Sequence, residues 1–526
     1  MLDLLVRGGT VVDGSGRPGF RADVGVSGGR VVAIGHLEGS DAARVLEATE
    51  LCVAPGFVDV HSHSDFTLLV DPRAQSAIAQ GVTTELIGNC GHGCAPISDP
   101  ELAKTNIYGY TPVERFDWSS MGEYLERLQL KRPAVNVATL VPNGNLRLAA
   151  VGLADRPAAA TEVGYMAALL EESLDAGAFG LSTGLEYPAE RTASPDEITA
   201  LCRVVARRGG LYATHTRNRD VQAVESIAEA IAVAERAEVR LQVSHIIPRR
   251  AGDPGAWHRA LELVDTTRAR GLDIAFDSHT RLHGITNLSN ALPPEEFALG
   301  PAELAARLTQ PEARARIKRH RSLISSFGLG GWDRVFLFSS RRCPERVGKS
   351  FAELAPVGGD AIDAILDVLL AEVEDPHAVL CTCHSYEDEW LRATMRHPLG
   401  MPGSDATDLC LDGPLASATF LGAYTWAGWF FRRLVTETGD LSLEDAVRKL
   451  TSIPAQRIGL TDRGMIVEGA CADLAVFDPA RFCDRGTMTT PNRLADGVHH
   501  VIVNGTVALK NGSFTGHRGG SVLRSG

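Results

Sequence analysis

The stretch PGFVDVHSHSD, residues 55–65, runs from a mostly apolar segment into two histidines that are one residue apart. Residues two apart on a β-strand point to the same side, so His61 and His63 could bind one metal ion together. Asp65 follows them and could orient an imidazole through a hydrogen bond. Taken alone, the pair is a weak sign of a metal, because two polar residues at an exposed strand end give the same pattern.

Seven further strand-like runs follow this one, and stretches with helical periodicity separate them. The eight runs occupy residues 56–63, 81–90, 135–143, 177–184, 210–217, 241–247, 272–279 and 400–405. Two of the intervening helices are predicted within residues 194–210, which begin with Ser-Pro and end in glycines, and within residues 220–237. Alternating strands and helices are typical of a parallel sheet. Eight such units predict an α/β fold with a (β/α)8 TIM barrel.

The chain departs from this alternation at its ends and once in its interior. Both ends contain short strand-like pieces separated by glycine turns, which predicts one small β-sandwich domain built from residues 1–56 plus 462–526. The barrel domain then occupies residues 57–461. Between the seventh and eighth runs lies a longer gap with helical segments, which predicts an insertion subdomain, residues 282–350, over the barrel mouth.

Polar side chains stand where several of the runs end. Besides the first pair, these are Cys90, His215, His245 and Asp405. The carboxyl ends of barrel strands meet on one face, so we expect these side chains to converge. Either later histidine alone would fit a buried core residue, and Asp405 alone would fit a helix cap. Their joint placement predicts a metal site in which Asp405 is the catalytic residue that transfers protons.

The stretch IGNCGHGCAP, residues 87–96, contains two cysteines and a histidine that admit several interpretations. A redox pair has two residues between its cysteines, whereas three lie between Cys90 and Cys94. No second CxxC supports a zinc knuckle. Cys90 ends the second run and is the predicted ligand. Cys94 is expected to pack in a loop, and His92 is given no ligand role.

The composition excludes several classes of protein. The 526 residues include 65 acids against 52 bases, a formal charge of −13, which argues against a nucleic-acid-binding protein. Neither a signal peptide nor an apolar run of about 18 residues is visible, so no membrane span is expected. Ten cysteines are scattered along the chain, which favours the reducing cytoplasm. The expected partner is a small-molecule substrate, and the oligomeric state stays open.

Eight motifs together resemble the N-acyl-D-amino-acid deacylase (D-aminoacylase) family of the amidohydrolase superfamily, in order and over nearly the whole chain. They are PGFVDVHSHSD, GVTTELIGNCG, GLYATHTRN, QVSHI, GSD, LTSIPAQRIGL, DRGMIVEGACADLAVFD and VIVNGTVALKNG. GNCG is the specific element, because most relatives bridge two metals with a carboxylated lysine from the fourth strand. Residues 177–184 contain no lysine, which agrees with a cysteine in that role.

The resemblance implies a zinc centre. Cys90, His215 and His245 would hold one tightly bound zinc. A second, weaker position would be lined by His61, His63 and Asp405, with Cys90 between the two. Independently of the resemblance, thiolate and imidazole are ligands that zinc takes readily. Zinc also lowers the pKa of a bound water to about 7, which supplies hydroxide to attack an amide carbonyl.

The chain departs from the family pattern at the predicted substrate pocket. Asn143 stands where relatives have a histidine, and His279 and Arg281 stand where they have tyrosines. Leu415 replaces an arginine suited to a substrate carboxylate, and leucine cannot make that bidentate contact.

Other residues are predicted to contact the substrate in this altered pocket. Arg281 or Arg217 could take over the lost carboxylate contact, and Tyr187 matches a substrate contact of the family. The predicted substrate-binding residues are Tyr187, Arg217, His279, Arg281 and Asn143.

The sequence thus predicts a zinc-dependent amidohydrolase that hydrolyses the linear amide of an N-acylated amine or N-acyl-D-amino acid, a carbon–nitrogen bond other than a peptide bond. A cyclic-amide hydrolase of the hydantoinase or dihydroorotase kind is the alternative enzyme, and the missing lysine disfavours it. A non-catalytic scaffold is the alternative from another class, although such proteins typically lose metal ligands and this chain keeps six candidates.

Overall fold

A computed structural model of the protein describes residues 1–109 and 115–526. The strands before the insertion are β1 (Leu4–Val11), β2 (Phe20–Ser27), β3 (Arg30–Gly35), β4 (Val45–Glu47), β5 (Cys52–Pro55), β6 (Phe57–Asp59), β7 (Val82–Ile87), β8 (Asn136–Thr139), β9 (Val141–Pro142), β10 (Gly180–Gly184), β11 (Leu211–His215), β12 (Arg240–Val243) and β13 (Ile274–His279). The later strands are β14 (His283–Asn287), β15 (Val335–Ser339), β16 (Leu380–His384), β17 (Gly400–Gly403), β18 (Leu474–Phe477), β19 (Val498–Val503), β20 (Thr506–Lys510) and β21 (Ser513–Phe514).

The α-helices of the described residues lie mostly between these strands. The helices before β14 are α1 (Thr67–Val70), α2 (Gln75–Ile78), α3 (Pro100–Ala103), α4 (Met121–Lys131), α5 (Asn143–Ala150), α6 (Ala160–Asp175), α7 (Pro195–Arg207), α8 (Ala223–Ala237) and α9 (Ala256–Ala269). The helices after it are α10 (Pro294–Phe297), α11 (Pro301–Leu308), α12 (Pro311–Arg319), α13 (Leu323–Phe327), α14 (Phe351–Leu354), α15 (Ala361–Ala371), α16 (Asp388–Arg396), α17 (Trp426–Phe431), α18 (Leu443–Leu450) and α19 (Ser452–Ile458).

Parallel strands form the centre of this α/β fold, and each of the eight predicted runs contains one. One sheet has the order β17-β13-β12-β11-β10-β9 and another has the order β6-β7-β8, with parallel pairing throughout. Only Leu140 separates β8 from β9. Ser62, after β6, forms a parallel bridge with Ala406, after β17. The two sheets are therefore linked at both edges.

The helices between these strands begin and end as their sequences predict. The hydroxyl of Ser194 accepts a hydrogen bond from the Glu197 backbone N–H and caps α7. α8 ends where Glu238 adopts a left-handed φ of 55°, the usual way to stop a helix. Apolar side chains of both helices pack in the main hydrophobic core with residues of the parallel strands.

The two ends of the chain meet in one nine-stranded sheet. Its order is β21-β20-β19-β18-β5-β1-β2-β3, and β4 pairs with β1. The antiparallel pair of β5 and β18 joins the N-terminal and C-terminal strands. Val6, Val53 and Val476 lie in a core of this sheet's own, whereas Phe477 and Val501 lie in the main core. The two ends thus share one sheet, and its division into the two layers of a sandwich stays a prediction.

The long gap after β13 contains a unit with its own sheet and core, residues 283–384, here called the insertion unit. Its antiparallel sheet has the order β14-β16-β15, and α10 to α15 pack beside it. The central strand β16 ends at His384, so the insertion unit extends beyond residue 350, the predicted end of the insertion subdomain. The helical segments predicted in this gap include three short helices, α11, α12 and α13. Pro311 opens α12, because proline cannot continue a preceding helix.

No helix among the described residues is both long and apolar enough to cross a membrane. The ten cysteines, all within the described residues, are free thiols, and nine of them are buried.

Candidate metal centre and active site

A thiol and two imidazoles meet beneath the insertion unit. The Sγ atom of Cys90 lies 3.2 Å from Nε2 of His61 and 3.3 Å from Nε2 of His245. All three residues are buried, and their ligand atoms lie within 4.8 Å of one another. They come from the ends of the first, second and sixth predicted runs, so the parallel strands bring together residues far apart in the sequence.

A second group adds a carboxylate. Oδ1 of Asp405 lies 3.3 Å from Nε2 of His63 and 3.7 Å from Nε2 of His61, and these three residues also form a group that could hold a metal ion. His61 therefore belongs to both groups, whereas the family resemblance placed Cys90 between two metal positions.

His215 lies beside the first group and points to a different partner. Its Nε2 is 2.7 Å from Oε2 of Glu186, and its ring centroid is 4.6 Å from that of His245. The predicted role of His215 as a zinc ligand stays a prediction. Sequence reasoning missed Glu186, although an acid two residues after the fourth run was a usable signal.

Three of the candidate ligands have a left-handed backbone conformation. The φ angles are 54° at Cys90, 33° at His245 and 45° at Asp405. Residues other than glycine seldom adopt this region, which costs on the order of 1–3 kcal/mol each, and such strain clusters at functional sites. Its occurrence at three separate strand ends supports a common functional geometry.

Asp277 in β13 holds two of the candidate ligands in place. Its Oδ1 lies 2.9 Å from Nδ1 of His61 and accepts the backbone N–H of His245 at 2.8 Å. Asp277 thus provides the carboxylate partner of His61, whereas the sequence suggested that Asp65 could orient an imidazole of the His61 and His63 pair. Asp65 instead lies buried in a neighbouring loop, where its backbone carbonyl accepts the Tyr124 hydroxyl.

Burial sets the protonation of these side chains. It lowers the pKa of His245 well below its ordinary value and the pKa of His215 to about 4. It raises the pKa of the Cys90 thiol to about 11, against the opposing effect of His61. Burial also favours a raised pKa for Asp405, but the Arg281 guanidinium and His63 hold it well below its usual range. Burial therefore favours neutral imidazoles at His215 and His245 beside an ionised Asp405. Burial also opposes the charged form of His61, but Cys90 and Asp277 raise the pKa of His61 well above its ordinary value.

These residues fit a zinc-type cation. Metal ligation requires neutral imidazoles, and a bound cation deprotonates a coordinating thiol. Nδ1 of His215 has no hydrogen-bond partner within the described part of the chain, and a cation at this atom would offset the cost of burying an unpaired polar group.

The two groups open onto a small, covered cavity. Its lining includes His63, His215, His245, His279, Asp405, Tyr108, Tyr187, Tyr386, Arg219 and Arg249. Leu323 and Phe327 of α13 and Ile285 of β14 close it from the side of the insertion unit. The free space is about 20 Å³, room for roughly one water molecule. An N-acyl substrate needs more space than the cavity has in this structure.

The predicted substrate contacts divide into two sets. Tyr187 and His279 line the cavity. Arg281 donates to Oδ2 of Asp405 at 2.7 Å and to the Ser404 carbonyl at 2.5 Å, so it positions Asp405. Arg217 and Asn143 lie outside the cavity lining, and their contact with substrate stays a prediction.

The partners of these last two residues are carboxylates, and Leu415 has apolar neighbours. Arg217 donates to Glu229, and Nδ2 of Asn143 donates to Glu190 at 2.6 Å. Leu415 is buried in an apolar cluster with Tyr108 and Phe420, two residues that do line the cavity.

His92 and Cys94 lie close to the site without joining either group. The His92 ring packs 4.3 Å from the Tyr187 ring and 4.9 Å from the Tyr108 ring, centroid to centroid. Burial lowers the pKa of His92 to about 3. Cys94 is buried in the main core, and its carbonyl accepts the Trp118 indole N–H at 2.7 Å.

The fold and the site together define a hydrolase of the amidohydrolase class, and a family model described as "Amidohydrolase family" matches residues 44–509. Two curated relatives come from Alcaligenes xylosoxydans xylosoxydans. An N-acyl-D-glutamate deacylase is 33% identical over 99% of this chain and 96% of its own length. A D-aminoacylase is 32% identical over 99% of this chain and 97% of its own length.

A solved structure agrees with these relatives. The N-acyl-D-glutamate deacylase of Bordetella bronchiseptica, complexed with zinc and a phosphonate inhibitor that mimics the tetrahedral intermediate, matches with a TM-score of 0.82 and 29% identity, over 99% of each chain. The chain belongs to the N-acyl-D-amino-acid deacylase (D-aminoacylase) family of amidohydrolases.

Proposed function

We propose that the protein is a zinc-dependent hydrolase that cleaves the linear amide bond of an N-acyl-D-amino acid or another N-acylated amine. The observation that carries the proposal is the pair of ligand groups that share His61, one with Cys90 and His245 and the other with His63 and Asp405, next to a cavity that His63, His245 and Asp405 line. The names of the curated relatives, which act on N-acyl-D-amino acids, support the substrate class.

We propose that Cys90, His61 and His245 hold one zinc and that His63 and Asp405 line a second, weaker position with His61. His215 remains a further proposed ligand of the tight site, since its Nδ1 has no partner among the described residues and its ring packs against His245. When bound, zinc supplies a Lewis acid that polarises a carbonyl and acidifies water.

Asp405 is proposed to move the proton. Oδ2 receives hydrogen bonds from Arg281, whereas Oδ1 faces His63 and His61. The ionised carboxylate would accept at Oδ1 a proton from the water that attacks the amide carbonyl, and would return this proton to the amine nitrogen as the C–N bond breaks. Tyr187 and His279 would contact the substrate, because both line the cavity. The cover from the insertion unit would exclude bulk water from the closed site.

The proposed architecture is a closed (β/α)8 barrel with a β-sandwich domain and an insertion subdomain. Parallel pairing of eight strand positions and the bridge from Ser62 to Ala406 support the closed barrel. The proposed limits are residues 57–461 for the barrel, 1–56 plus 462–526 for the sandwich, and 282–350 for the insertion subdomain. The pairing of β14 with β16 favours extending the insertion subdomain to residue 384.

The proposed partner is a small N-acylated substrate, and the proposed location is the cytoplasm. The ten scattered free thiols support the location, because secreted proteins more often pair their cysteines. The net charge of −13 disfavours nucleic acid as a partner.

The test is a substrate panel on the zinc-loaded protein. N-acyl-D-amino acids, their L forms, acylated amines without a carboxylate, and cyclic imides would be compared by amine release. Hydrolysis of linear N-acyl compounds that disappears on chelation and returns with zinc is expected. Exclusive hydrolysis of cyclic imides would favour the hydantoinase-like alternative. A protein that binds zinc but hydrolyses none of the panel would favour the scaffold.

A further inference from the structure

Arg219 and Arg249 line the active-site cavity, Arg217 and Arg281 follow the strands β11 and β13 beside it, and all but Arg219 have carboxylate partners. Arg217 pairs with Glu229, and Arg281 pairs with Asp405. The remaining paired arginine, Arg249, contacts two acids, Glu186 and Asp220. These side chains are neutralised within the protein and are poor candidates for binding an anion.

Arg219 differs from these three. It lines the same cavity as His215, His245 and Asp405, and only 7% of its surface is exposed. Its Nη2 donates to the backbone carbonyls of His245, at 2.7 Å, and Ile247, at 3.3 Å. Across residues 1–109 and 115–526 its side chain forms no ion pair and no other hydrogen bond, which leaves the three N–H groups on Nε and Nη1 without a protein partner.

A buried guanidinium without a carboxylate is costly, because the desolvation penalty of an ion in a protein interior amounts to several kcal/mol. The Tyr386 ring, 5.7 Å from the Arg219 guanidinium carbon, offsets only part of this through a cation–π contact. An anionic ligand in the cavity would supply the missing charge and accept the free N–H groups in the planar, two-pronged geometry that arginine offers to carboxylates.

The position of Arg219 suits a group close to the scissile bond. Its hydrogen bond to the His245 carbonyl ties the guanidinium to a candidate zinc ligand. In an N-acyl amino acid, the α-carboxylate is attached to the carbon next to the amide nitrogen, so an amide held at the zinc ligands places its carboxylate nearby.

We propose that Arg219 is a specificity-determining residue that binds a carboxylate of the substrate, so that the site prefers N-acyl amino acids over neutral N-acyl amines. This inference rests on the proposed function, and it names N-acyl amino acids as the preferred class among the proposed N-acylated substrates. The carboxylate is the α-carboxylate or one on the side chain, and the choice of test compounds separates the two.

The experiment compares the wild-type protein with Arg219→Met in their zinc-loaded forms. Three compounds serve as probes: N-acetyl-D-leucine with only an α-carboxylate, N-acetyl-D-leucinamide with none, and N-acetyl-D-glutamic acid α-amide with only a side-chain carboxylate. Hydrolysis rates give kcat and KM, and calorimetry gives binding to the same proteins whether or not turnover occurs. Arg250→Met is the matched control, because Arg250 pairs with Glu387 away from the cavity.

Arg219→Met should raise KM and Kd about 100-fold for the compound whose carboxylate is recognised, as expected for loss of a charge-assisted contact. KM and Kd for N-acetyl-D-leucinamide, kcat and zinc content should stay within about twofold. Arg219→Lys keeps the positive charge without the planar guanidinium, so it should raise KM and Kd about tenfold for the same compound only. It replaces Arg219→Met if that variant does not fold.

The role of Arg219 would be overturned if Arg219→Met raised KM and Kd equally for all three compounds. It would also be overturned if the wild-type protein preferred neither carboxylated compound in binding or turnover. If the neutral amide is hydrolysed while Arg219→Met affects nothing, the proposed function stands and this inference fails. If no compound is hydrolysed but carboxylate binding depends on Arg219, the contact between Arg219 and a carboxylate is supported and the proposed hydrolysis fails.

Discussion

Asp277→Asn tests how the candidate metal ligands are held. The Asp277 carboxylate faces three donors: Nδ1 of His61 at 2.9 Å, the backbone N–H of His245 at 2.8 Å and Nε2 of Gln242 at 2.9 Å. Asparagine replaces one acceptor oxygen with an NH2 group, so one donor must face another donor. Gln242 cannot turn its amide without cost, because its Oε1 accepts a hydrogen bond from Arg457 at 3.1 Å.

The magnitude follows from these contacts. A hydrogen bond to a charged group contributes roughly 1.5–3 kcal/mol, and a buried donor left without an acceptor costs a similar amount. Changing the outer partner of a metal-binding histidine typically lowers metal affinity about 10- to 100-fold, which corresponds to roughly 1.4–2.7 kcal/mol. Because Asp277 orients both His61 and His245, we expect a loss of zinc affinity toward the upper end of this range.

The assay is chelator competition, which gives the zinc dissociation constants of the wild type and the variant independently of catalysis. Thermal unfolding of both proteins checks that the variant is folded. Asp253→Asn is the matched control, because Asp253 is an exposed loop residue that contacts Gly255 and Arg259. A folded Asp277→Asn protein with unchanged zinc affinity would refute the argument that Asp277 positions the ligands.

Three further predictions concern single residues. Asp405→Asn should lower kcat by about 10²- to 10⁴-fold while zinc content by elemental analysis stays near that of the wild type, and near-normal turnover would remove Asp405 from proton transfer. Cys90→Ala should lose most of its zinc while Cys94→Ala keeps it, and equal zinc contents would contradict the choice of Cys90 as the ligand. Burial raises the pKa of Glu190 from 4.5 to about 7, so the folded state keeps a proton that the unfolded chain has released, and stability falls as pH rises from about 4.5 through 7. Glu190→Gln should remove this dependence. The change that it causes in the free energy of unfolding, measured with urea, should be more stabilising at pH 8 than at pH 5 by up to about 3 kcal/mol. An equal change at both pH values would contradict the raised pKa.

Local sequence patterns predicted much of the fold. Each of the eight strand-like runs contains a strand, and α7 begins after the Ser194 cap as predicted. These features depend on short segments whose turn and capping residues lie close together in the chain. The insertion was predicted as helical, and its three-stranded sheet was missed. That sheet pairs β14 with β16, almost 100 residues later, and no local pattern records such a pairing.

The sequence by itself determined the chemical character of the site: a thiol, imidazoles and a carboxylate placed at strand ends, and a family that uses such residues. The tertiary structure decided which of them are neighbours. It made His61 common to both candidate metal groups, gave His61 the Asp277 carboxylate as its partner, and turned Arg281 toward Asp405. The physical reason is that strand position fixes where a side chain begins, whereas its contacts depend on packing between segments that are distant in the chain.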